Sequence, residues 1–207
     1  MKTVSQKGSV NIEGKALKAK DLVLIAVFSA LWTVLQIQLG PIIGRFSIGP
    51  ISLHGSVNRV VGWLLMTVLA HQTSGFGKIS LMSTISAFGT RTIRVNPLEG
   101  LIVGSGYALG GLIFDLLANI KRKSVDEAPA YLYLLITVVS SLAASTPYLL
   151  SRTYFLGLKG FVIASSLYFF STVKGVVFSL FGSSLGIQIN ARLKGLVRIE
   201  RLEQVHG

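Results

Sequence analysis

Long apolar runs are the feature that most constrains what this chain can fold into. Six mainly apolar segments follow one another along the sequence, and a helix needs about 20 such residues to cross the hydrocarbon core of a bilayer. Of the 207 residues, 51% are hydrophobic and 14% are charged, whereas an ordinary soluble domain carries about 25% charged residues. The sequence therefore predicts an all-α integral membrane protein.

The apolar runs set the expected bounds of six transmembrane helices: 21–39, 48–70, 77–90, 97–119, 130–150 and 160–188. The third run is short, so a five-span alternative keeps it as a re-entrant segment. Pro97 and Pro129 fall at or just before helix starts, where the missing N–H costs nothing. Pro41 and Pro50 flank the first outer turn. Pro147 predicts a kink or an early end of the fifth helix.

The placement of lysine and arginine predicts the orientation. With the N-terminus in the cytoplasm, thirteen of the 20 basic residues fall inside, five fall outside, and two, Arg59 and Lys174, fall within helices. Because cytoplasmic loops are enriched in Lys and Arg, we expect a six-transmembrane-helix bundle with both termini in the cytoplasm. The five-span alternative would put the 121–123 loop and the C-terminal tail on opposite sides. We divide the chain into a basic tail 1–20, a membrane domain 21–190 and a basic tail 191–207.

The net charge of +12 does not indicate a nucleic-acid partner. The charges lie mainly at the ends of apolar runs, as in membrane proteins, and are not gathered into one basic patch. The C-terminal tail brings Leu193, Leu196, Val197 and Leu202 near one helical face. This pattern fits a surface helix on anionic lipid, and a solvated basic tail is the alternative.

Small residues recur four apart in three of the predicted helices, a spacing that lets membrane helices pack closely. We interpret most of these pairs as packing within the bundle. On the first helix, the face that carries Ala26 and Ala30 could instead contact a separate membrane subunit. The other pairs are Gly100 and Gly104, Gly106 and Gly110, Gly175 and Ser179, and Gly182 and Gly186.

Polar residues within or at the outer ends of the spans are candidates for a binding site, because ionisable groups in a membrane are costly and usually face a cavity or a partner. The predicted orientation brings most of them to the outer half of the bundle, and Asp115 is the main polar group of the inner half. We therefore predict an outward-facing cavity that is closed towards the cytoplasm. The candidate substrate-binding residues are His54, Asn58, Arg59, Arg91, Asn96, Glu99, Tyr148, Arg152 and Lys174.

The predicted site is mostly cationic. That favours a ligand with a carboxylate or phosphate group, or a planar polar ring held by hydrogen bonds. In the alternative interpretation Glu99 pairs with Arg59 or Lys174 and only neutralises charge in the bundle. Arg91 and Arg94, taken alone, are typical of interfacial anchors.

Enzyme chemistry finds no support in the sequence. There is no cysteine, the three histidines lack metal-ligand spacing, and there is no nucleophile elbow or P-loop. Glu99 and Asp115 lie 16 residues apart on one helix, roughly 24 Å, which is too far for an acid–base pair. We predict that the chain is not an enzyme and that it holds no metal and no cofactor.

Two stretches carry a resemblance to a known family. The first helix, KDLVLIAVFSALWTVL, and the fourth-helix region, NPLEGLIVGSGYALGGLIFDLL, resemble those of substrate-binding S-components of energy-coupling factor (ECF) transporters. The second stretch is similar to the branch that binds hydroxymethylpyrimidine and thiamine precursors. The nickel and cobalt branch needs a histidine just after the initiator methionine, where this chain has Lys2 and Thr3.

The resemblance implies a mechanism and partners. An S-component in the plasma membrane binds a vitamin-like small molecule or precursor from outside, then topples when it docks on a transmembrane coupling subunit with two ATPases. Ala26 and Ala30 match the A-x-x-x-A pattern that contacts the coupling subunit. Two alternatives remain: an integral membrane enzyme acting on a phosphate-bearing lipid, and a structural or assembly membrane protein.

Overall fold

Helices make up almost all of the computed structural model, which describes residues 18–48, 51–53, 55–91, 97–122 and 129–206. Over these ranges the chain forms five α-helices and one short β-hairpin. In chain order they are α1 (Ala19–Ile43), β1 (Ser47–Ile48), β2 (Ile51–Ser52), α2 (Ser56–Gln72), α3 (Lys78–Arg91), α4 (Pro97–Arg122) and α5 (Ala130–His206).

Helix α5 folds back on itself at Gly157, whose backbone is not helical (φ 68°, ψ 168°). A first arm, 130–156, and a second arm, 158–206, then run antiparallel. Their contacts show this, because Thr137 bonds to Ser183 and Ser141 to Ser179. Of the kink or early end predicted at Pro147, the early end is wrong, since the helix continues through this proline for nine more residues before Gly157. Glycine tolerates the positive φ that the reversal requires.

The bundle therefore contains six helical segments that alternate in direction. Paired contacts show the alternation from α3 onwards. Gly104 and Gly111 of α4 lie against Ala87 and Ser83 of α3, and Gly106 and Gly110 lie against Ala144 and Ser140 of the first arm. Helix α1 is parallel to α3, with contacts from Asp21 to Lys78 at their starts and from Thr33 to Gly89 further along.

Four helices in the described ranges are long and apolar enough to cross a membrane: Ala19–Ile43, Gly100–Ile120, Ala130–Ile163 and Ser165–Gly195. The chain is thus a multi-pass membrane protein by helix length and composition. Helices α2 and α3 have 17 and 14 residues. At about 1.5 Å per residue, both fall short of the roughly 30 Å hydrocarbon core.

The connection between the first two helices differs from the predicted one. Pro41 lies inside α1, which ends at Ile43, and the second apolar run begins with a hairpin in which Ser47 pairs with Ser52. Helix α2 starts only after Gly55, which has φ 78°. The predicted helix start at Ile48 is therefore wrong by eight residues, and Asn58 and Arg59 lie in the first turn of α2.

Three charged side chains hold the starts of α1 and α3 to the end of α4, and we call this region the capped end (Asp21, Lys78 and Asp115). Asp115 is 1% exposed. Its Oδ2 accepts the backbone N–H groups of Gly77, Ile79 and Ser80 and the Ser80 hydroxyl, at 2.9–3.1 Å. The Lys78 ammonium donates to Asp21 Oδ2 at 2.6 Å. The helix α3 N-terminus thus obtains its capping acceptor from another helix.

Buried hydroxyl groups join α2 to the two arms of α5. Thr67 and Thr137 both bond to Ser183, at 2.8 and 2.9 Å, and all three are fully buried. In a membrane, the hydrophobic effect does not favour helix–helix contacts over helix–lipid contacts. Hydrogen bonds such as these and close packing therefore hold the helices together. Gly182 and Gly186 let the second arm approach the backbone of α2 at Val60 and Leu64.

Candidate functional site

A cavity of about 270 Å³ lies at the end of the bundle opposite the capped end. Gln36, one of its lining residues, comes 15 residues after Asp21 on α1, roughly 22 Å further along the helix. The lining residues come from α1, α2, α3, α4 and both arms of α5. They are Gln36, Gly55, Ser56, Asn58, Arg59, Arg91, Val103, Tyr107, Ala144, Ser145, Tyr148, Leu149, Tyr168, Ser171, Thr172, Lys174, Gly175 and Phe178.

Arg59 is held in a fixed orientation in the cavity wall. Its Nη1 donates to the Ser141 carbonyl and hydroxyl oxygens at 3.1 and 3.0 Å, and its Nη2 donates to Ser145 Oγ at 3.0 Å. The guanidinium carbon lies 5.1 Å from the Trp63 ring centre and 5.3 Å from that of Tyr107. Hydroxyl groups and aromatic faces therefore position this cation.

Tyr107 of α4 stands between the arginines and the core. Its ring contacts Trp32 and Trp63 edge-on, with ring centres 6.0 and 6.2 Å apart. The guanidinium carbon of Arg91 lies 6.0 Å from the same ring. The Tyr107 ring thus contacts both arginines, which come from α2 and α3.

Two buried tryptophans contact Tyr107. Trp32 donates its indole N–H to Asn58 Oδ1, and Trp63 donates to Ser140 Oγ at 2.9 Å. Trp32 and Trp63 are 1% and 0% exposed. Because both indole N–H groups are satisfied, the two rings pack in the buried core together with the cavity-lining Tyr107.

Glycines of α4 lie alongside Arg91. A side chain at Gly100 or Gly104 would come within 3.5 Å of the Arg91 Cβ or Cγ atoms, so the aliphatic stem of Arg91 lies along the glycine face. Gly175 has the same relation to Arg59, since its absent Cβ would lie 3.4 Å from the guanidinium carbon. These glycines, which the sequence indicated only as packing residues, hold cavity-lining arginines.

Aromatic residues of the α5 arms form the opposite wall. Tyr148 contacts Tyr168 edge-on at 6.3 Å between ring centres, and Tyr168 stacks on Phe161 at 5.4 Å. The Arg152 guanidinium lies 5.1 Å from the Tyr148 ring, one turn beyond the lining residues. Lys174 also lies on this wall, close enough to Arg59 for their like charges to interact.

Five of the nine predicted site residues line this one cavity: Asn58, Arg59, Arg91, Tyr148 and Lys174. Arg152 contacts Tyr148 but is not among the lining residues. Glu99 lies in the first turn of α4. His54 and Asn96, together with Arg94, lie outside the described residues.

Sequence reasoning missed several lining residues, above all Ser56 and Tyr107. Ser56 Oγ is buried, with no hydrogen-bond partner among the described residues. Serine is common in membrane helices, so its type gave no signal. Tyr107 did carry one, because it is a large polar aromatic residue within the glycine-rich run of α4, three residues after Gly104 and three before Gly110.

The small-residue face of α1 is not used inside the bundle. The residues that α1 buries are Asp21, Ile25, Ser29, Trp32 and Gln36. Their spacing of three or four places them on one helical face. Ala26 and Ala30 are exposed, together with Val23 and Val27, which are 60% and 53% exposed. The predicted partner-contact face is therefore exposed on the outside of the bundle.

Comparison with protein-family models, with curated proteins and with solved structures finds no match. The functional argument therefore rests on the residues of this chain and on the geometry described above.

Proposed function

We propose that this protein is the substrate-binding subunit of an ECF-type importer in the plasma membrane, with six spans and both termini in the cytoplasm. The observation that carries the proposal is the cavity at one end of the bundle. Its walls hold positioned polar and aromatic side chains, and its lining residue Tyr107 packs against the buried Trp32 and Trp63. A pocket with few, convergent polar groups is typical of small-molecule binding.

The asymmetry of the bundle also supports this function. A channel needs a continuous polar path, whereas here the rings of Trp32 and Trp63 lie in the buried core, and the far end holds the buried contacts of Asp115 and Lys78. In the orientation that we infer from the basic residues, the cavity opens outwards. A captured molecule then crosses the membrane only if the whole subunit reorients, as the toppling mechanism requires.

The exposed face of α1 supports a membrane partner. Ala26 and Ala30 lie one turn apart on the exposed side of α1, and small residues allow another helix to approach closely. In the proposed complex this face contacts the coupling subunit, and two ATPases supply the energy for transport.

The binding half of the proposal is tested with purified protein and a broad panel of vitamins and precursors that includes neutral, cationic and anionic compounds. We expect at least one compound to raise the unfolding temperature. Ser171→Trp should abolish this shift, because Ser171 is an exposed lining residue and an indole there fills the opening. Ser165→Trp is the matched control, since Ser165 is exposed on the same arm and does not line the cavity.

Two results would count against binding in this cavity. If no compound in the panel stabilises the protein, or if Ser171→Trp leaves a stabilising compound fully effective, the cavity is not a solute-binding site. If a stabilising compound stays effective in Ser171→Trp but loses its effect in Ser165→Trp, its site lies elsewhere on the second arm.

The assembly half is tested by co-expression with the coupling subunit and ATPases of the same organism. Ala30→Trp should reduce co-purification at least tenfold while ligand binding stays unchanged, because the indole blocks close helix approach. Ala191→Trp, at an exposed alanine of the second arm, should have no effect on assembly. Failure of the wild-type chain to associate with these subunits would contradict the transporter assignment.

A further inference from the structure

Three basic side chains line the cavity. They are Arg59, Arg91 and Lys174, and they come from α2, α3 and the second arm of α5. No aspartate or glutamate is among the described lining residues. Basic side chains from three segments therefore line one space, and each can donate hydrogen bonds to an occupant that brings acceptor oxygens.

Arg59 provides donors that point to such an occupant. A guanidinium carries five N–H groups, and the three bonds to Ser141 and Ser145 use at most three of them. The same bonds fix the plane of the group before a ligand arrives. A pre-oriented guanidinium with remaining donors suits the two oxygens of a carboxylate or phosphate group.

The start of helix α2 adds a second, independent anion-binding feature. Its N-cap is Gly55, which has no side chain to cap the first turn, and Gly55 and Ser56 both line the cavity. A helix N-terminus carries partial positive charge and favours anions. Ser56 Oγ is buried, lacks a hydrogen-bond partner among the described residues and belongs to a residue that is 3% exposed. A bound oxyanion would accept its hydrogen.

Aromatic side chains surround the rest of the space. Tyr107, Tyr148, Tyr168 and Phe178 line the cavity from three different segments, and ring faces of this kind stack on planar groups. The volume of about 270 Å³ lies just below the usual range of roughly 300–1,000 Å³ for ligand pockets. The space therefore suits one ring with a short substituent better than a fused multi-ring compound.

We infer that the substrate of this site is a small compound that joins one planar ring to an oxyanion, either a carboxylate or a phosphate. This inference rests on the proposed function and narrows it. The oxyanion lies at the start of α2, where Ser56 and Arg59 donate to it, with Lys174 on the facing arm. The ring lies against the tyrosines of α4 and α5. Such a ligand differs in charge from the uncharged and cationic precursors that the resemblance implies.

Two matched pairs of probe compounds test the inference in the purified wild-type protein. Nicotinate and nicotinamide share a ring and differ by a carboxylate, whereas pyridoxine 5′-phosphate and pyridoxine differ by a phosphate. We expect the anionic member of at least one pair to bind at least tenfold more tightly than its neutral partner, measured by calorimetry and thermal shift. Binding in only the first pair identifies carboxylate as the preferred group, and in only the second pair phosphate.

Variants connect that preference to the residues named. Arg59→Gln should weaken binding of the anionic probe at least tenfold, the size expected for a charge-assisted contact, and should reduce the difference within the pair. Ser56→Ala should weaken it about three- to tenfold, and it serves as the test if Arg59→Gln does not fold. Arg45→Gln is the control, because Arg45 is exposed just after α1 and does not line the cavity.

Several outcomes overturn the inference. It is wrong if the neutral members bind as tightly as the anionic ones, if none of the four probes binds, or if Arg59→Gln and Ser56→Ala both bind the anionic probe like the wild type. In those cases the broad panel decides about the proposed function separately. If a neutral or cationic compound binds the wild type and Ser171→Trp abolishes this binding, the proposed function stands and only the inference fails. If no compound in the panel binds, both the proposed function and the inference fail.

Discussion

The two ends of this bundle handle charge in opposite ways. At the capped end, two carboxylates are buried, and each has partners from another helix: Lys78 for Asp21, and the start of α3 for Asp115. At the cavity end, the cations of Arg59 and Arg91 contact aromatic faces, and Arg59 donates to serine oxygens. Charge at the capped end is part of the fold, whereas charge at the cavity end is arranged around a space.

This difference teaches how a membrane bundle can separate stability from binding. Hydroxyl groups and glycines hold the cavity arginines in place, so the folded state does not need a carboxylate to fix Arg59. Stability should therefore depend strongly on the capped end and weakly on the cavity cations. Four predictions test this comparison, ordered from the largest expected effect to the smallest.

Asp115→Ala should have the largest effect on stability. It removes the acceptor for three backbone N–H groups and one hydroxyl, and buried donors left unsatisfied cost about 1–3 kcal/mol each before relaxation. We expect a total loss of about 3 kcal/mol, or roughly 6–12 °C in unfolding temperature, measured by thermal unfolding in detergent. Asp115→Asn keeps one acceptor oxygen and should lose about half as much. An unchanged unfolding temperature for Asp115→Ala would contradict the capping role.

Gly157→Ala should have the next largest effect, because the reversal between the two arms of α5 depends on backbone conformation. With φ 68° and ψ 168°, Gly157 occupies a region that only glycine adopts easily, and a side chain there costs about 1–3 kcal/mol. Gly195→Ala is the control. Gly195 lies in a helical segment with open space around its Cα, so alanine should stabilise the helix by up to about 1 kcal/mol. Equal effects of the two substitutions would argue against strain at the reversal.

Lys78→Met should lower the unfolding temperature by a few degrees, less than Gly157→Ala does. It leaves the Asp21 carboxylate without the ammonium that lies 2.6 Å away. Because Asp21→Asn also removes the charge that needs compensation, the double variant should recover most of the loss. The double-mutant cycle measures this coupling. Additive losses from the two substitutions would show that the pair contributes nothing to the fold.

Arg59→Gln should change the stability of the ligand-free protein least. Arg59 has no carboxylate among its described contacts, and its removal relieves repulsion with Lys174. We therefore expect an unfolding temperature within about 2 °C of the wild type, a shift of less than about 1 kcal/mol. A loss as large as that of Asp115→Ala would erase the distinction between the two ends of the bundle.

The sequence predicted the helical class and most helix positions because apolar runs constrain membrane helices strongly. Helix α3 and helix α4 begin within one residue of the predicted starts. The prediction failed at Ile48, because the apolar composition of a run does not distinguish one that begins with a hairpin from one that begins with a helix. The early helix end, one of the two outcomes predicted at Pro147, was also wrong, because composition does not reveal that the chain reverses at Gly157 instead.

Part of the site could be predicted from the sequence by the same reasoning. The predicted orientation brought Arg59, Lys174 and the loop residue Arg91 to the outer half of the bundle, and the structure brings all three to one cavity. The contacts that hold these side chains could not be predicted, because no sequence pattern shows that Ser141 and Ser145 face Arg59. The role of Asp115 was hidden for the same reason, since its partners lie about 36 residues earlier in the chain.

The position of Tyr107 has one more consequence. The chain contains two tryptophans, and both contact this cavity-lining ring, with Arg59 also 5.1 Å from one of them. Neither tryptophan lines the cavity itself, but through Tyr107 we expect a molecule that enters it to change the local field at both indoles. The intrinsic fluorescence of the unmodified protein therefore reports occupancy, and a titration needs no label and no known partner. The two tryptophans that contact Tyr107 thus provide the optical readout of the cavity.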